Sequence, residues 1–139
     1  VKLIAFQPAH VIAMRLQERQ RNEISCLEYL TELQHAGLAL TALQDGETIA
    51  CGGIARTALH GTLWGFIARD SKRHFVVLDR IVRRMLSCCD LQRVEATVDS
   101  SFANGCRWLE LLEFKLETPE PMRNYGPHGE DHYLYARVR

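Results

Sequence analysis

The sequence predicts one α/β domain built on a mixed sheet with a parallel pair of strands near its centre. Three observations predict it. Thr62–Arg69 (TLWGFIAR) is a mostly apolar run of strand length. From Phe75 the period changes: Leu78, Ile81, Val82, Met85 and Leu86 recur at helical spacing, with Asp79, Arg80, Arg83 and Arg84 on the other side. Arg93–Asp99 (RVEATVD) then alternates, Val94, Ala96 and Val98 facing one way and Glu95 and Thr97 the other. A strand, a crossover helix and a second strand form a right-handed βαβ unit with parallel strands. Ligands in such sheets gather where the carboxyl ends of strands meet helix N-termini. The polar loop Asp70–His74 (DSKRH) is therefore the first place to look for an anion site.

The remaining elements follow in order. Val1–Phe6 reads as a short first strand. Pro8 opens a helix that continues through His10–Gln20, with Val11 and Met14 near one face. Ser25 and Glu28 have capping-box spacing for a second helix running to about Ala36, and Gly37 sits where a helix stop belongs. Leu38–Gln44 and Thr48–Ala55 are strands joined by the turn signal Asp45-Gly46. Gly52-Gly53 inside the second of them marks a bulge or the close approach of another backbone. Leu59-His60-Gly61 turns the chain into the βαβ unit. After it, Asp99, Ser100 and Ser101 offer an N-cap for a last helix that carries Trp108, Leu109 and Leu112 and ends near Phe114. Lys115–Arg123 contains Pro119 and Pro121, which confine it to a sheet edge or break it. Gly126-Pro127-His128-Gly129 is a turn. His132–Arg139 alternates Leu134, Ala136 and Val138 against Tyr133, Tyr135 and Arg137, closing a second hairpin. The predicted order is β-α-α-β-β-β-α-β-α-β-β. The predicted core is Leu78, Ile81, Val82, Met85, Val94, Ala96, Val98, Leu109 and Leu112.

Composition narrows the function classes. A chain of 139 residues makes one domain, 1–139, with a core that needs no staples. Its 17 basic and 17 acidic residues balance, so a strong global field for nucleic acid is absent and no nucleic-acid partner is expected. The five cysteines, Cys26, Cys51, Cys88, Cys89 and Cys106, are odd in number and form no CxxC; they read as free thiols in a reducing compartment. Neither a secretory signal nor a long apolar span is visible, so a cytoplasmic location without a membrane partner is expected. His10, His35, His60 and His132 are scattered without HxxxH or HxH pairs, and no metal site is expected.

The order of elements and the stretch Trp64–Tyr135 resemble the GCN5-related N-acetyltransferase (GNAT) superfamily. SSFANGCRWLELLEF followed by MRNYGPHGEDHYLYARV is similar to small acetyltransferase-like proteins of tailed bacteriophages, some of whose relatives are internal virion proteins. The resemblance implies a GNAT-like mixed sheet with a central parallel β4/β5 pair. It implies that the fourth strand splays from the fifth and admits the pantetheine arm of acetyl-CoA. It implies acetyl transfer to an amine acceptor, small-molecule or protein. By the same resemblance the backbone at Ile67 and Ala68 polarises the thioester carbonyl, and Ser71, Lys72, Arg73, His74 and Phe75 form the pyrophosphate loop. The family's loop reads Arg/Gln-x-x-Gly-x-Gly/Ala, and its backbone amides hold the pyrophosphate. Here the matching Arg69-Asp70-Ser71-Lys72-Arg73-His74-Phe75 has no glycine, so Lys72, Arg73 and His74 either supply side-chain charge instead or form a solvated basic loop capping the helix. The family's last helix reads Asn-x-x-Ala-x-x-x-Tyr-x-x-x-Gly-Phe. Phe102, Gly105, Leu109, Glu113 and Phe114 occupy those positions, so only the small residue and the final Phe are kept. The family's tyrosine often protonates the departing thiolate, and leucine cannot.

Candidates for the acid and base come from the residues themselves. Asp99 sits at the carboxyl end of its strand, beside the expected cleft; it reads as a base or as an N-cap. Glu95 reads as a base or as a charge paired with Arg93 or Arg84. Tyr125 could replace the missing acid, and His128 titrates near neutral pH, although Asn-Tyr-Gly-Pro is first of all a turn. Trp64 and Trp108 read as core aromatics, with Trp64 alternatively lining the groove. Cys51 and Cys106 read as core thiols. Two functions fit: an acetyl-CoA-dependent N-acetyltransferase, and a non-catalytic GNAT-fold phage protein that binds a host or virion protein.

Overall fold

The computed structural model describes residues 1–14 and 27–139. In chain order the elements are β1 (Lys2–Ala5), α1 (Pro8–Ile12), α2 (Leu27–His35), β2 (Gly37–Gln44), β3 (Glu47–Arg56) and β4 (Gly61–Ile67). A 3-10 turn (Ser71–His74), α3 (Phe75–Cys88), β5 (Arg93–Asp99), α4 (Ala103–Leu111), β6 (Lys115–Leu116) and β7 (His132–Val138) follow. The strands form one sheet in the order β1-β2-β3-β4-β5-β7-β6. β4 and β5 are adjacent and parallel, as the change of period from strand to helix and back requires. The other ladders are antiparallel.

The parallel ladder is short. Only Gly61–Val94 and Thr62–Glu95 face each other across it. Beyond them β4 stays paired with β3 as far as Ile67, and β5 stays paired with β7 as far as Asp99. The two halves of the sheet therefore separate toward the carboxyl ends of both strands.

Strand pleating sorts side chains onto two faces. On one face Val94, Ala96 and Val98 of β5 and Tyr135 of β7 pack with Met85 and Leu86 of α3 and Leu109 and Leu112 of the α4 region. On the other, Trp64 and Phe66 of β4 pack with Phe6, Val11, Leu30 and Leu33 from the β1–α1–α2 region. Seven of the nine predicted core residues are buried. Ile81 and Val82 are only partly buried, because they look onto the gap between the strands rather than onto a closed sheet.

Local chemistry explains the remaining junctions. Asp45 (φ 53°) and Gly46 (φ 81°) both take left-handed backbone, which makes the β2–β3 hairpin turn. At Gly53 a Cβ would overlap the carbonyl of Leu38, so the glycine pair marks a close approach of strands. The bulge is elsewhere: the register shifts between Ala42 and Leu43. The helix opens at Pro8 as expected and ends at Ile12, with Ala13 as its C-cap; the rest of the predicted stretch to Gln20, with Ser25 and Cys26, lies outside the described residues. β6 is cut to two residues, consistent with prolines at 119 and 121 removing ladder donors, and a lone bridge, Met122–His132, continues its pairing. α4 ends in a Schellman motif: Phe114 N–H donates to Leu109 C=O (3.0 Å) and Glu113 N–H to Glu110 C=O (3.0 Å). Glu113 stands at the left-handed position of that motif with φ 70°.

Candidate active site in the split between β4 and β5

The split opens into a cleft of about 1120 Å³. β4 contributes Leu63, Gly65 and Ile67 to its wall, β5 contributes Ala96 and Val98, and α3 contributes Ile81 and Val82. Leu109 of α4 closes it on the helix side.

One end is the loop after β4. Ser71, Lys72 and Phe75 line the cleft there, whereas Arg73 and His74 stand off its wall. Ser71 is buried, and its hydroxyl donates to Ile49 C=O (3.0 Å) while its N–H donates to Ala68 C=O (3.1 Å). It latches the loop to β3. None of the left-handed residues of the described chain falls in 69–75, so this loop turns as a 3-10 segment and needs no glycine. Lys72 and Arg73 are exposed, and Arg73 Nε donates to His74 Nε2 (3.1 Å). His74 is the N-cap of α3 but makes no side-chain capping bond, and the helix's first turn carries no acidic residue. Across the mouth the Phe75 ring meets Trp108 at 5.3 Å. Trp108 Nε1 donates to Asp79 (2.8 Å), Arg83 donates to Asp79 (2.7 Å), and Arg83 also donates to Leu111 C=O (2.8 Å). These bonds tie α3 to α4 and hold the aromatic pair in place.

The strand amides divide. Ala68 N–H donates to Ile49 C=O (2.9 Å), so it faces β3 and not the cleft, which corrects its expected carbonyl-polarising role. Antiparallel alternation then turns the backbone N–H of Ile67 to the β5 side.

At the other end, β5 and β7 bring together residues far apart in sequence. Asp99 and His132 face each other across the ladder. Asp99 is buried, and Oδ1 accepts Ser101 N–H (2.9 Å) and Ser101 Oγ–H (2.6 Å). It therefore shapes the turn into α4, while Phe102 occupies the N-cap position itself. Asp99 does not line the cleft; His132 does. His132 is 5 % exposed and its Nδ1 has no hydrogen-bond partner. Burial lowers its pKa below the ordinary histidine value of 6.5, against the opposing pull of Asp99, Glu130 and Asp131. Tyr125 is exposed, lines the cleft, and tilts its ring over His132 at 5.3 Å. His128 lies on the exposed turn, with its N–H toward Glu130 Oε2 (3.4 Å).

Glu95 lines the closed end of the split, where the strands still pair. Arg93 Nε donates to it (2.8 Å) and also reaches Glu117, so Glu95 is one arm of a surface charge network. Cys51 lines the cleft as well, but burial pushes its thiol up to about 11 and keeps it protonated. Trp64 is both a core aromatic and a cleft residue, and its buried Nε1 has no partner. Among the described residues no three His, Cys, Asp or Glu side chains are grouped to hold a metal, and no helix is long and apolar enough to cross a membrane.

Sequence pattern alone does not single out His132 and Glu130 for chemistry. The one available signal is that His132 begins an alternating strand; its partner Asp99 emerges only from the β5–β7 register.

No protein-family model matches the chain, and no curated protein matches its sequence. Solved structures match over nearly its whole length. Ard1 from Thermoplasma volcanium superposes with a TM-score of 0.75 at 14% identity, covering 99% of this chain and 96% of that one. The ribosomal-protein-S18-alanine N-acetyltransferase of Escherichia coli gives 0.70 at 16% identity, covering 99% and 92%. An acetyltransferase of the GNAT family from Streptococcus pneumoniae gives 0.68 at 14%, covering 99% and 98%. The fold is that of the GNAT acetyltransferases, and at these identities the likeness is one of fold.

Proposed function

We propose that this protein transfers an acetyl group from acetyl-CoA to an amine. The observation that carries the reading is the split itself: a parallel pair that parts after two residues, with an apolar cleft opening toward the head of a helix. The residues present fit the cofactor. The cleft wall along Leu63–Ile67 suits an extended pantetheine arm. The head of α3, with no side-chain cap and no acid in its first turn, suits a pyrophosphate. Lys72 and Arg73 add charge from the exposed loop, and Phe75 and Trp108 form the lip. Bound acetyl-CoA supplies an activated thioester. This chain's residues position it and exclude water, with Ile67 on the strand edge and Leu109 as an apolar wall. Asp99 holds the turn below the acceptor end, and Tyr125 flanks that end.

A second reading is favoured by two particular features. Leu109 cannot act as an acid, and the loop 69–75 lacks glycine. A GNAT-fold phage protein that binds a host or virion protein would need neither. Calorimetry with acetyl-CoA separates them, followed by release of free thiol when an amine is added. Saturable binding and amine-dependent thiol release support the transferase. No heat of binding at about millimolar cofactor, the weak end of specific affinities, supports the rival.

A further inference from the structure

We infer that His132 takes the proton from the acceptor, and that the acceptor enters as a cationic amine over the β5–β7 end of the cleft. This rests on the acetyltransferase reading above. Buried polar atoms without partners are rare in folded proteins. Two of the three among the described residues are His132 Nδ1 and Glu130 Oε1. They belong to side chains that flank the same residue, Gly126: a Cβ there would overlap the Glu130 carboxylate and come within 3.0 Å of His132 Nε2. Gly126, Tyr125 and His132 all line the cleft. The charged groups around the imidazole are acidic from every side described: Asp99 from β5, Glu130 and Asp131 from the loop before β7. Tyr125 covers the ring from the loop.

A ligand matched to this acidic wall carries positive charge and donates hydrogen bonds. A primary ammonium does both, with three N–H donors. Burial keeps the imidazole neutral at neutral pH, which is the form a base requires. The step balances as follows. His132 accepts one proton from R–NH3⁺, and the freed nitrogen lone pair forms a C–N bond to the thioester carbonyl carbon. As the C–S bond breaks, the electron pair leaves on sulfur, and the nitrogen's second proton passes to the thiolate, because Leu109 offers none. The proton on His132 returns to solvent.

The test uses the full chain, acetyl-CoA, and 1,4-diaminobutane as the acceptor probe. In the wild type, NMR of the His132 ring should show perturbation by 1,4-diaminobutane and none by the uncharged 1,4-butanediol. His132→Gln should bind acetyl-CoA within about twofold of wild type yet lose about a hundredfold or more in kcat/KM. Its kcat/KM should climb with pH toward the pKa of the amine itself, where the wild-type profile turns at the lowered pKa of His132. Added imidazole should restore part of the rate. A His132 ring that ignores the diamine, or a variant with an unchanged rate and pH profile, overturns the inference while leaving cofactor binding intact. A wild type that fails to bind acetyl-CoA overturns the transferase reading itself. The ring measurement on the wild type decides the matter even where the variant folds poorly.

Discussion

The two ends of the cleft carry charge in opposite ways. At the loop after β4 the charges are cationic, exposed and borne on long side chains, Lys72 and Arg73. At the β5–β7 end they are acidic around a buried imidazole, with Asp99 and His132 both nearly inaccessible. Exposed charges act through water and are screened by salt. Buried ones act through pKa shifts and hydrogen bonds that the surrounding fold must satisfy. One end is therefore suited to attract an anion without ordering much structure. The other is suited to fix a protonation state.

The difference sets what mutations should do. Asp99→Ala removes a buried carboxylate that accepts two bonds from Ser101. It should cost about 1.5–3 kcal/mol in denaturant unfolding. It should also lower the His132 pKa further, since Asp99 raises it. An NMR titration in which that pKa rises would show that the two residues do not sense each other.

The pH dependence of stability has a definite sign. The folded pKa of His132 is lowered, so between that value and 6.5 the unfolded chain binds more protons than the folded one. Stability contributed by the neutral ring is then present above about pH 6.5 and lost as pH falls toward the folded pKa, by at most about 1.4 kcal/mol per pH unit. The comparison of wild type with His132→Gln isolates this effect from the other groups. The variant's melting temperature should fall less between those two values. An identical fall in both proteins contradicts the burial argument.

Glu113 supplies a smaller effect at the C-terminal end of α4. A left-handed backbone disfavours any side chain with a Cβ. Glu113→Gly should stabilise the protein by about 0.5–1 kcal/mol without changing cofactor affinity. A destabilised variant would mean that the glutamate side chain makes a compensating interaction. Smallest of all, Val82→Ala should cost under about 1 kcal/mol, because Val82 is only partly buried. Its effect should appear instead in acetyl-CoA affinity, since it lines the cleft.

The same contrast governs what the sequence makes legible. The β4–α3–β5 unit is legible because apolar spacing changes from strand to helix and back within one stretch, and the alternation at Arg93–Asp99 coincides with β5. The hairpin is legible from Asp45-Gly46. The cationic loop is legible too, being local in sequence. The split is expected only from the resemblance: periodicity says that two strands are parallel neighbours, not where their ladder ends. Ile81 and Val82 read as core for that reason, since a helical stripe does not reveal a gap beneath it. The β5–β7 end is least legible. His132 gains its meaning from Asp99 and Glu130, and the first of these lies on another strand. Glu113 shows the reverse case: its backbone is left-handed, with φ 70°, at a residue whose type gives no signal of it.

The most direct test of the account is calorimetric titration of the wild type and of Lys72→Ala/Arg73→Ala with acetyl-CoA at low and high salt. Each charge-assisted hydrogen bond is worth about 1.5–3 kcal/mol, so the double variant should bind at least about tenfold more weakly for each such bond it can no longer make. Wild-type affinity should fall as salt rises, and the variant's should fall less. Tight binding that ignores both the substitutions and the salt would contradict the placement of the pyrophosphate at the head of α3, and no binding at all would contradict the acetyltransferase.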